Sequence, residues 1–332
     1  MPTANKKLFI FAAIFILLIL VPVSVNKYYN FLLEPKSQDS STQIFVIRPG
    51  EPTAEISQKL QEAQLIKSAL AFRLLVSQMG IAKNIQAGDF RLSANMSSRD
   101  IAEELTHGAI DVWVTFPEGL RVEEQAQIIE NNLNFGSNES FRFDKAQYIK
   151  IAKEGYMFPD TYLVPKDSTA QDVAAKLEET FSAKVDDELL AQGEKNNLSG
   201  EDVIILASLL EREAKTNEEK PIIAGIILNR LNAGVALQID ATVQYAKGYD
   251  TAQNTWWSTV TVDDYQSVKS AYNTYLFVGL PPSPIASPGL ESIKAAANPA
   301  ETSFFFYMHD REGKIHYAET ADGHQRNIEE FL

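Results

Sequence analysis

The chain has 332 residues, of which 45% are apolar and 22% charged, and its formal net charge is −14. These values indicate a folded protein larger than one average domain and exclude bulk disorder. No cluster of Lys or Arg supplies the basic face that nucleic-acid binding requires, and the absence of cysteine excludes disulfides, thiol nucleophiles and zinc–cysteine sites.

An apolar segment near the N-terminus predicts a membrane anchor. Residues 8–25 are apolar except for Pro22 and Ser24, and a helix of this length spans roughly 27 Å, close to the thickness of the hydrocarbon core. A cleaved signal peptide is the alternative, but no Ala-x-Ala-like site follows the segment. We therefore predict a cytoplasmic head at 1–7, an uncleaved transmembrane helix at 8–25 and a linker at 26–43. The remainder would then face the periplasm or cell wall.

Strand–turn–helix patterns follow the linker and occur twice. In chain order, the predicted elements are a strand at 44–47, a turn at 49–50, helices at 52–60, 68–79 and 97–107, a strand at 112–116, a turn at 117–119 and a helix at 122–129. We expect small α+β units ahead of the main domain. Chance similarity between two short segments is the alternative.

A buried pair of helices is predicted in the second half of the chain. Ser199, with Asp202 three residues on, predicts a helix start, and residues 203–210 are apolar almost all round, which is typical of a central helix. A second apolar helix is predicted from about Pro221. After Leu237 the sequence turns irregular, aromatic and rich in Pro. We predict a mixed α+β domain in which the helical pair lies beside a cleft walled by loops.

Glu211 is a candidate acid/base residue because it follows eight nearly apolar residues. On a helix it lies next to Ser208, Ala207 and Ile204, and a carboxyl held against such a surface loses solvation when it ionises. A general acid at a glycosidic oxygen needs a protonated carboxyl near neutral pH. The alternative is that Glu211 is the first solvated residue at the helix end. Glu213 is equally plausible by spacing, so periodicity narrows the site to a helix end only.

Signatures of other chemistries are absent from the sequence. It contains no H-E-x-x-H, G-x-S-x-G or G-x-x-x-x-G-K-[ST] motif. His309, His316 and His324 are seven and eight residues apart, which leaves a zinc site as an alternative. We predict neither a metal nor a cofactor.

The segment around Glu211 resembles a known enzyme family. Residues 206–213 (LASLLERE) are similar to the A-S-[IL]-[VIL]-E-[KR]-E segment of the membrane-anchored endolytic murein transglycosylases, the YceG-like family. Further similar segments lie, in the same order, at 116–119, 154–162, 224–231, 237–245, 272–275, 279–285 and 297–299. Residues 46–60 resemble the start of a LysM module, a small peptidoglycan-binding fold. The resemblance implies a LysM-like α+β module at 44–111 and a catalytic domain at 112–332.

The resemblance also implies an activity. Glu211 matches the family's catalytic glutamate because it is the first Glu after the A-S-x-x run, which leaves Glu213 a supporting role. The glutamic acid would protonate the oxygen between N-acetylmuramic acid and N-acetylglucosamine of nascent peptidoglycan. Its carboxylate would then accept the proton of the C6 hydroxyl, which closes onto C1 as a 1,6-anhydro end. Residues implied to bind the sugars, each with a structural role as its alternative, are Asn229, Gln238, Asp240, Tyr272 and Asn273.

The implied partners are peptidoglycan glycan strands, the cytoplasmic membrane and the penicillin-binding proteins of the wall synthases, with termination of strand elongation as the expected role. Two alternatives differ in chemistry. One is a non-catalytic, membrane-tethered scaffold that binds peptidoglycan, and the other is an ordinary hydrolase of the same bond.

Overall fold

The computed structural model describes residues 20–107, 111–134 and 143–332, and the chain divides into two compact units. The first unit comprises the described residues up to Trp113 together with 132–134 and Leu163–Asp167, and the second comprises Val114–Asn131, Phe143–Tyr162 and Ser168–Leu332. Both units contain helices and strands, which confirms the predicted α+β class.

The predicted head at 1–7 and most of the predicted anchor at 8–25 lie outside the described residues. Residues 20–33 are helical, and residues 34–41 of the predicted linker contain neither helix nor strand. Within the described part of the chain, no helix has the length and apolar character needed to cross a membrane. The anchor therefore stays a prediction.

The first unit is built on a strand hairpin with helices. Its elements are β1 (Thr42–Ile47), α1 (Thr53–Glu62), α2 (Ala69–Met79), β2 (Gly88–Ser93) and α3 (Ser98–His107). Strands β1 and β2 pair antiparallel, from Thr42 opposite Ser93 to Ile47 opposite Gly88. The two predicted helix ends of α2 are confirmed, since the Ser68 hydroxyl accepts the Ala71 N–H and Gly80 adopts a φ of 70°. The likeness of 44–111 to a LysM module stays a prediction.

Two further strands complete a four-stranded sheet of order β1-β2-β3-β4, and they are β3 (Asp111–Thr115) and β4 (Thr161–Pro165). Strands β2 and β4 were not predicted. Both carry the alternation of a half-buried strand, with Phe90 and Leu92 buried in β2 and Tyr162 and Val164 buried in β4.

The remaining chain is mostly helical. Its helices are α4 (Val122–Leu133), α5 (Lys145–Ile151), α6 (Ala170–Lys184), α7 (Asp187–Ala191), α8 (Gly200–Glu213), α9 (Lys220–Asn232), α10 (Asp240–Lys247), α11 (Asp264–Ser267), α12 (Leu290–Ala297) and α13 (Ala321–Phe331), with a 3-10 turn at Gln192–Asn196. Strands β5 (Phe306–His309) and β6 (Ile315–Ala318) form an antiparallel pair.

Helix α8 is the centre of the second unit. It begins with a capping box, in which the Ser199 and Asp202 side chains each accept the other's backbone N–H. Residues 203–210 are all buried, and α8 packs against α9, α10 and α12. This confirms the predicted buried helical pair. Helix α10 was not predicted, since Ile239 before it offers no side-chain cap that would mark a helix start.

Candidate active site

Glu211 lies in the last turn of α8, and its side chain is 9% exposed. Its Oε2 atom accepts the Gly289 N–H at 2.9 Å and the Ser292 hydroxyl at 2.6 Å. The Lys220 Nζ lies 3.3 Å from Oε1 and 3.5 Å from Oε2. The sequence predicts apolar surroundings for this carboxyl, whereas the structure gives it polar partners. These partners come from segments distant in sequence, which helical spacing does not report.

The position of Lys220 is electrostatically unfavourable. It is the first residue of α9 and is 4% exposed, although a cation near a helix N-terminus opposes the helix dipole. The ion pair with Glu211 compensates for this placement. Removing one partner of a buried ion pair costs about 3–5 kcal/mol because the other charge is left without compensation.

The N-terminus of α12 supplies the other donors to Glu211. Gly289 caps this helix and Ser292 lies in its first turn. The free N–H groups and the partial positive charge at a helix N-terminus favour a carboxylate there. Glu211 thus lies between the starts of α9 and α12.

A second carboxyl, that of Glu118, lies beside Glu211. Glu118 precedes Gly119, which adopts a φ of 77° in a turn. Glycine adopts a positive φ more easily than other residues, so it suits this position. The Gly119 N–H donates to the Ser287 carbonyl at 2.9 Å, and the Ser287 N–H donates to the Leu120 carbonyl at 2.8 Å. These bonds hold the turn against the segment that leads into Gly289.

Glu118 occupies the space that Gly289 leaves open. A Cβ atom at position 289 would lie 1.8 Å from Glu118 Oε1. Burial raises the pKa of Glu118, the Glu211 carboxylate raises it further, and Lys220 acts in the opposite direction. Glu118 lies in one of the segments similar to the YceG-like family, and no role was predicted for it from the sequence. The signal in the sequence that could have indicated a role is the Pro-Glu-Gly turn, because a turn at this place fixes the direction of the Glu118 side chain.

Arg212 connects the end of α8 to an aromatic wall. Its Nη1 donates to the Gly119 carbonyl at 3.3 Å, and its guanidinium lies 3.8 Å from the centre of the Trp257 ring. The Trp257 indole N–H donates to Glu124 at 3.0 Å. Arg212, the residue that follows the catalytic candidate, is therefore in direct contact with an aromatic residue.

A cavity of about 810 Å³ lies in the second unit, and Leu120, two residues after Glu118, is one of the residues that line it. Tyr249 and Trp256 line it with ring centres 5.1 Å apart, and the Arg121 guanidinium lies 4.6 Å from the Trp256 ring centre. Glu123 also lines the cavity. Aromatic faces combined with a few polar groups are typical of carbohydrate-binding clefts. Tyr249 and Trp256 belong to the aromatic region in which the sequence predicts a cleft wall, but none of the residues that line this cavity belongs to α8 or α9. A cleft beside the helical pair therefore stays a prediction.

Glu154 is a partly buried acid next to this wall. Its Oε2 accepts the Val122 N–H at 3.3 Å and the Tyr245 hydroxyl at 3.5 Å. Its Oε1 is buried and has no hydrogen-bond partner among the described residues. Burial raises the pKa of Glu154 to about 8.

Glu213, the alternative to Glu211, has different surroundings. It accepts the Tyr307 hydroxyl of β5 at 2.7 Å, and burial raises its pKa. Lys220, Gly289 and Ser292 all contact Glu211. The contacts therefore distinguish the two glutamates, which helical spacing left equivalent.

Two of the five predicted sugar-binding residues support loops. The Asn229 amide donates to the Thr302 and Phe304 carbonyls at 2.8 and 2.9 Å. The Asn273 amide is buried and donates to the Tyr265 and Val268 carbonyls at 3.2 and 2.9 Å. These contacts give both asparagines a structural role, and sugar binding by them stays a prediction.

The other three lie around the aromatic loops. Gln238 and Asp240 are exposed; Gln238 accepts from Arg230 at 2.8 Å and Asp240 from the Tyr275 hydroxyl at 2.6 Å. The Tyr272 hydroxyl shares a hydrogen bond of 2.6 Å with Ser283. Within the described residues, none of the five predicted side chains is a hydrogen-bond partner of Glu211.

The three spaced histidines have separate surroundings. His309 pairs with Glu219 at 3.1 Å and His316 with Asp310 at 2.8 Å, while the His324 ring stacks on Phe306. In the described ranges, no three His, Asp or Glu side chains are grouped so that they could hold a metal ion.

Comparisons with known proteins show the family to which the chain belongs. The sequence profile of the YceG-like family matches residues 45–330. Proteins named endolytic murein transglycosylase from Streptococcus pneumoniae (serotype 2) and Bacillus subtilis (strain 168) are each 28% identical over 92% of this chain, which spans 62% of the first and 89% of the second. A crystal structure of a yceG-like protein from Listeria monocytogenes has the same fold, with a TM-score of 0.61 and 23% identity over 87% of this chain and 99% of that one. The chain belongs to the YceG-like family.

Proposed function

We propose that this chain is a lytic transglycosylase that cuts the β-1,4 bond between N-acetylmuramic acid and N-acetylglucosamine in nascent peptidoglycan. Family membership and the names of the relatives from Streptococcus pneumoniae and Bacillus subtilis support this activity. The observation that carries the proposal is the carboxyl of Glu211, which Gly289, Ser292 and Lys220 hold in place. These contacts fix the position of an acid/base group, and the adjacent Arg212 contacts the aromatic Trp257.

Glu211 acts first as an acid and then as a base. Since Oε2 accepts two hydrogen bonds, we assign proton donation to Oε1. The proton passes to the glycosidic oxygen as the bond from C1 to that oxygen breaks, and Lys220 stabilises the resulting carboxylate. The carboxylate then takes the C6 hydroxyl proton while the C6 oxygen bonds to C1. Glu211 is protonated again and no water is consumed, because the tethered hydroxyl has a high effective concentration.

The cavity lined by Leu120, Tyr249 and Trp256 is assigned to the glycan strand. Sugar rings present apolar faces that can stack on Tyr249 and Trp256, and Glu123 and Glu124 can accept hydrogen bonds from hydroxyl or amide groups. The exposed Gln238 and Asp240 are kept as further candidates for sugar contacts.

We also propose a location and partners. Residues 8–25 anchor the chain in the cytoplasmic membrane, with the catalytic part on the periplasmic or wall side, because nascent glycan strands are found there. Cutting such strands ends their elongation and brings the enzyme beside penicillin-binding proteins.

The proposal is tested with the full-length protein, glycan strands and mass spectrometry of the products. The wild type is expected to release fragments with 1,6-anhydro ends, and Glu211→Gln is expected to release none. Glu213→Gln is the matched control, because its amide oxygen can still accept the Tyr307 hydroxyl, and it is expected to stay active.

Three outcomes would contradict the proposal. Products heavier by one water would identify a hydrolase. Strand binding without any product would favour the scaffold alternative. An active Glu211→Gln with an inactive Glu213→Gln would move the acid/base role to Glu213.

A further inference from the structure

Glu118 is a titratable group in the candidate active site that the reaction above does not use. It lies on a turn that two backbone hydrogen bonds fix to Ser287, and its carboxyl lies beside Gly289, whose N–H donates to Glu211. A carboxyl beside an acid/base residue can alter the protonation of that residue.

We propose that Glu118 is a positioning residue that shares one proton with Glu211 and thereby sets the pH range in which Glu211 can act as an acid. The inference rests on the proposed function of the site. It adds a second carboxyl to a reaction described above with one.

Gly289 is the geometric evidence for the pair. Its N–H donates to Glu211 at 2.9 Å, and its missing side chain leaves room for Glu118, whose Oε1 would be 1.8 Å from a Cβ atom there. Gly289 has a φ of −75° and a ψ of 166°, which any residue can adopt. The space for Glu118, and not backbone conformation, therefore explains why a glycine suits this position.

The charges around Glu118 come from three helices. Helix α8 supplies Glu211, with the Arg212 guanidinium on the adjacent Gly119 carbonyl; α9 supplies Lys220; and α12 supplies Glu291. The two glutamates disfavour ionisation of Glu118, whereas Lys220 favours it. With burial, these charges raise the pKa of Glu118.

Two neighbouring carboxyls lose their protons in two steps that belong to the pair. The first ionisation makes the second harder because two negative charges would then face each other. The pair therefore keeps its last proton to a higher pH than a single carboxyl in the same place would. That retained proton is the one that the glycosidic oxygen receives.

The test compares the pH dependence of anhydro-end formation by the full-length wild type and by Glu118→Gln. Glutamine keeps the shape and the hydrogen bonding but cannot ionise. We expect the alkaline limb of the rate profile to move to lower pH by about one unit, so that the rate above the limb falls about tenfold. At acidic pH the rate should return to within about twofold of the wild type, because Glu211 is then protonated in both.

The matched control is Glu201→Gln. Glu201 is exposed in the first turn of α8, so this substitution removes one negative charge from the same helix at its other end. Its profile should coincide with that of the wild type.

A second measurement does not depend on activity. The infrared band of protonated carboxyl groups, followed from acid to neutral pH, should contain a component that persists in the wild type and is lost in Glu118→Gln. If Glu118→Gln does not fold, Gly289→Ala displaces the same carboxyl and gives the same comparison.

The results separate this inference from the proposed function. A rate loss of equal size at every pH would assign Glu118 a merely structural role and overturn the inference, as would an unchanged profile. A wild type that forms no anhydro ends would refute the proposed function, while the infrared comparison would still decide whether the proton is shared.

Discussion

Gly289→Ala is a sharp test of how the two carboxyls are arranged, because it changes neither of them. The new Cβ would lie 1.8 Å from Glu118 Oε1 and 2.2 Å from its Cδ. Non-bonded carbon contacts lie at about 3.5 Å or more, so the Glu118 carboxyl has to withdraw by roughly 1.5 Å. We expect this withdrawal to separate Glu118 from Glu211.

The stability cost of this substitution should be small. The clashing atoms are the end of a flexible side chain, and the backbone angles at Gly289 suit alanine. The lower conformational entropy of unfolded alanine offsets its weaker helix capping, so the free energy of unfolding should change by less than about 1 kcal/mol. The melting temperature should then change by less than about 4 °C.

The assay is the pH profile of anhydro-end formation. Gly289→Ala is expected to shift the alkaline limb to lower pH by about one unit, as Glu118→Gln does. The double variant should shift the limb no further, because both changes remove the same interaction. A Gly289→Ala protein with the wild-type profile, or a double variant whose two shifts add, would refute the reasoning.

Three other predictions concern the surroundings of the site. Lys220→Met removes the cation that faces both carboxyls, so the alkaline limb of the rate profile should move to higher pH; a shift to lower pH would contradict this. Loss of one partner of a buried ion pair should also lower the free energy of unfolding, measured by urea titration, by about 3 kcal/mol. Trp256→Ala removes an aromatic face of the cavity, so KM should rise about tenfold while kcat stays within about twofold of the wild type. A loss in kcat alone, measured by steady-state kinetics, would count against binding of the glycan strand in this cavity. Burial raises the pKa of Glu154 from 4.5 to about 8, so between these pH values the folded state binds one proton more than the unfolded state. The free energy of unfolding should therefore fall by an amount on the order of 4 kcal/mol as the pH rises from 4.5 to about 8. Glu154→Gln should flatten that dependence in urea titrations across this pH range, and an unchanged slope would show that Glu154 is not its source.

The scaffold of the site could be predicted from local sequence patterns. The Ser199–Asp202 capping box and the apolar run 203–210 specify a buried helix without any knowledge of its neighbours. They also place Glu211 at the end of that helix. Local rules suffice here because capping and burial depend on residues only a few positions apart.

The polar surroundings of Glu211 could not be predicted in the same way. Lys220, Gly289 and Ser292 approach it from other helices, and no periodicity relates their positions to residue 211. Lys220 also breaks a local rule, since a buried cation at the start of a helix is unfavourable by itself. Such local conflicts are expected where function requires a residue.

The turn that carries Glu118 is fastened to Ser287 by backbone hydrogen bonds, and this has a consequence for synthesis and export. The Glu118 carboxyl emerges from the ribosome long before Ser287, and Gly289 and Ser292, two of the three donors to Glu211, follow only after residue 288. An incomplete chain that ends before Ser287 has both glutamates and Lys220, but it lacks Ser287 and these two donors. Cutting activity should therefore be acquired late, when nearly the whole polypeptide has been delivered, which protects the wall from half-made enzyme.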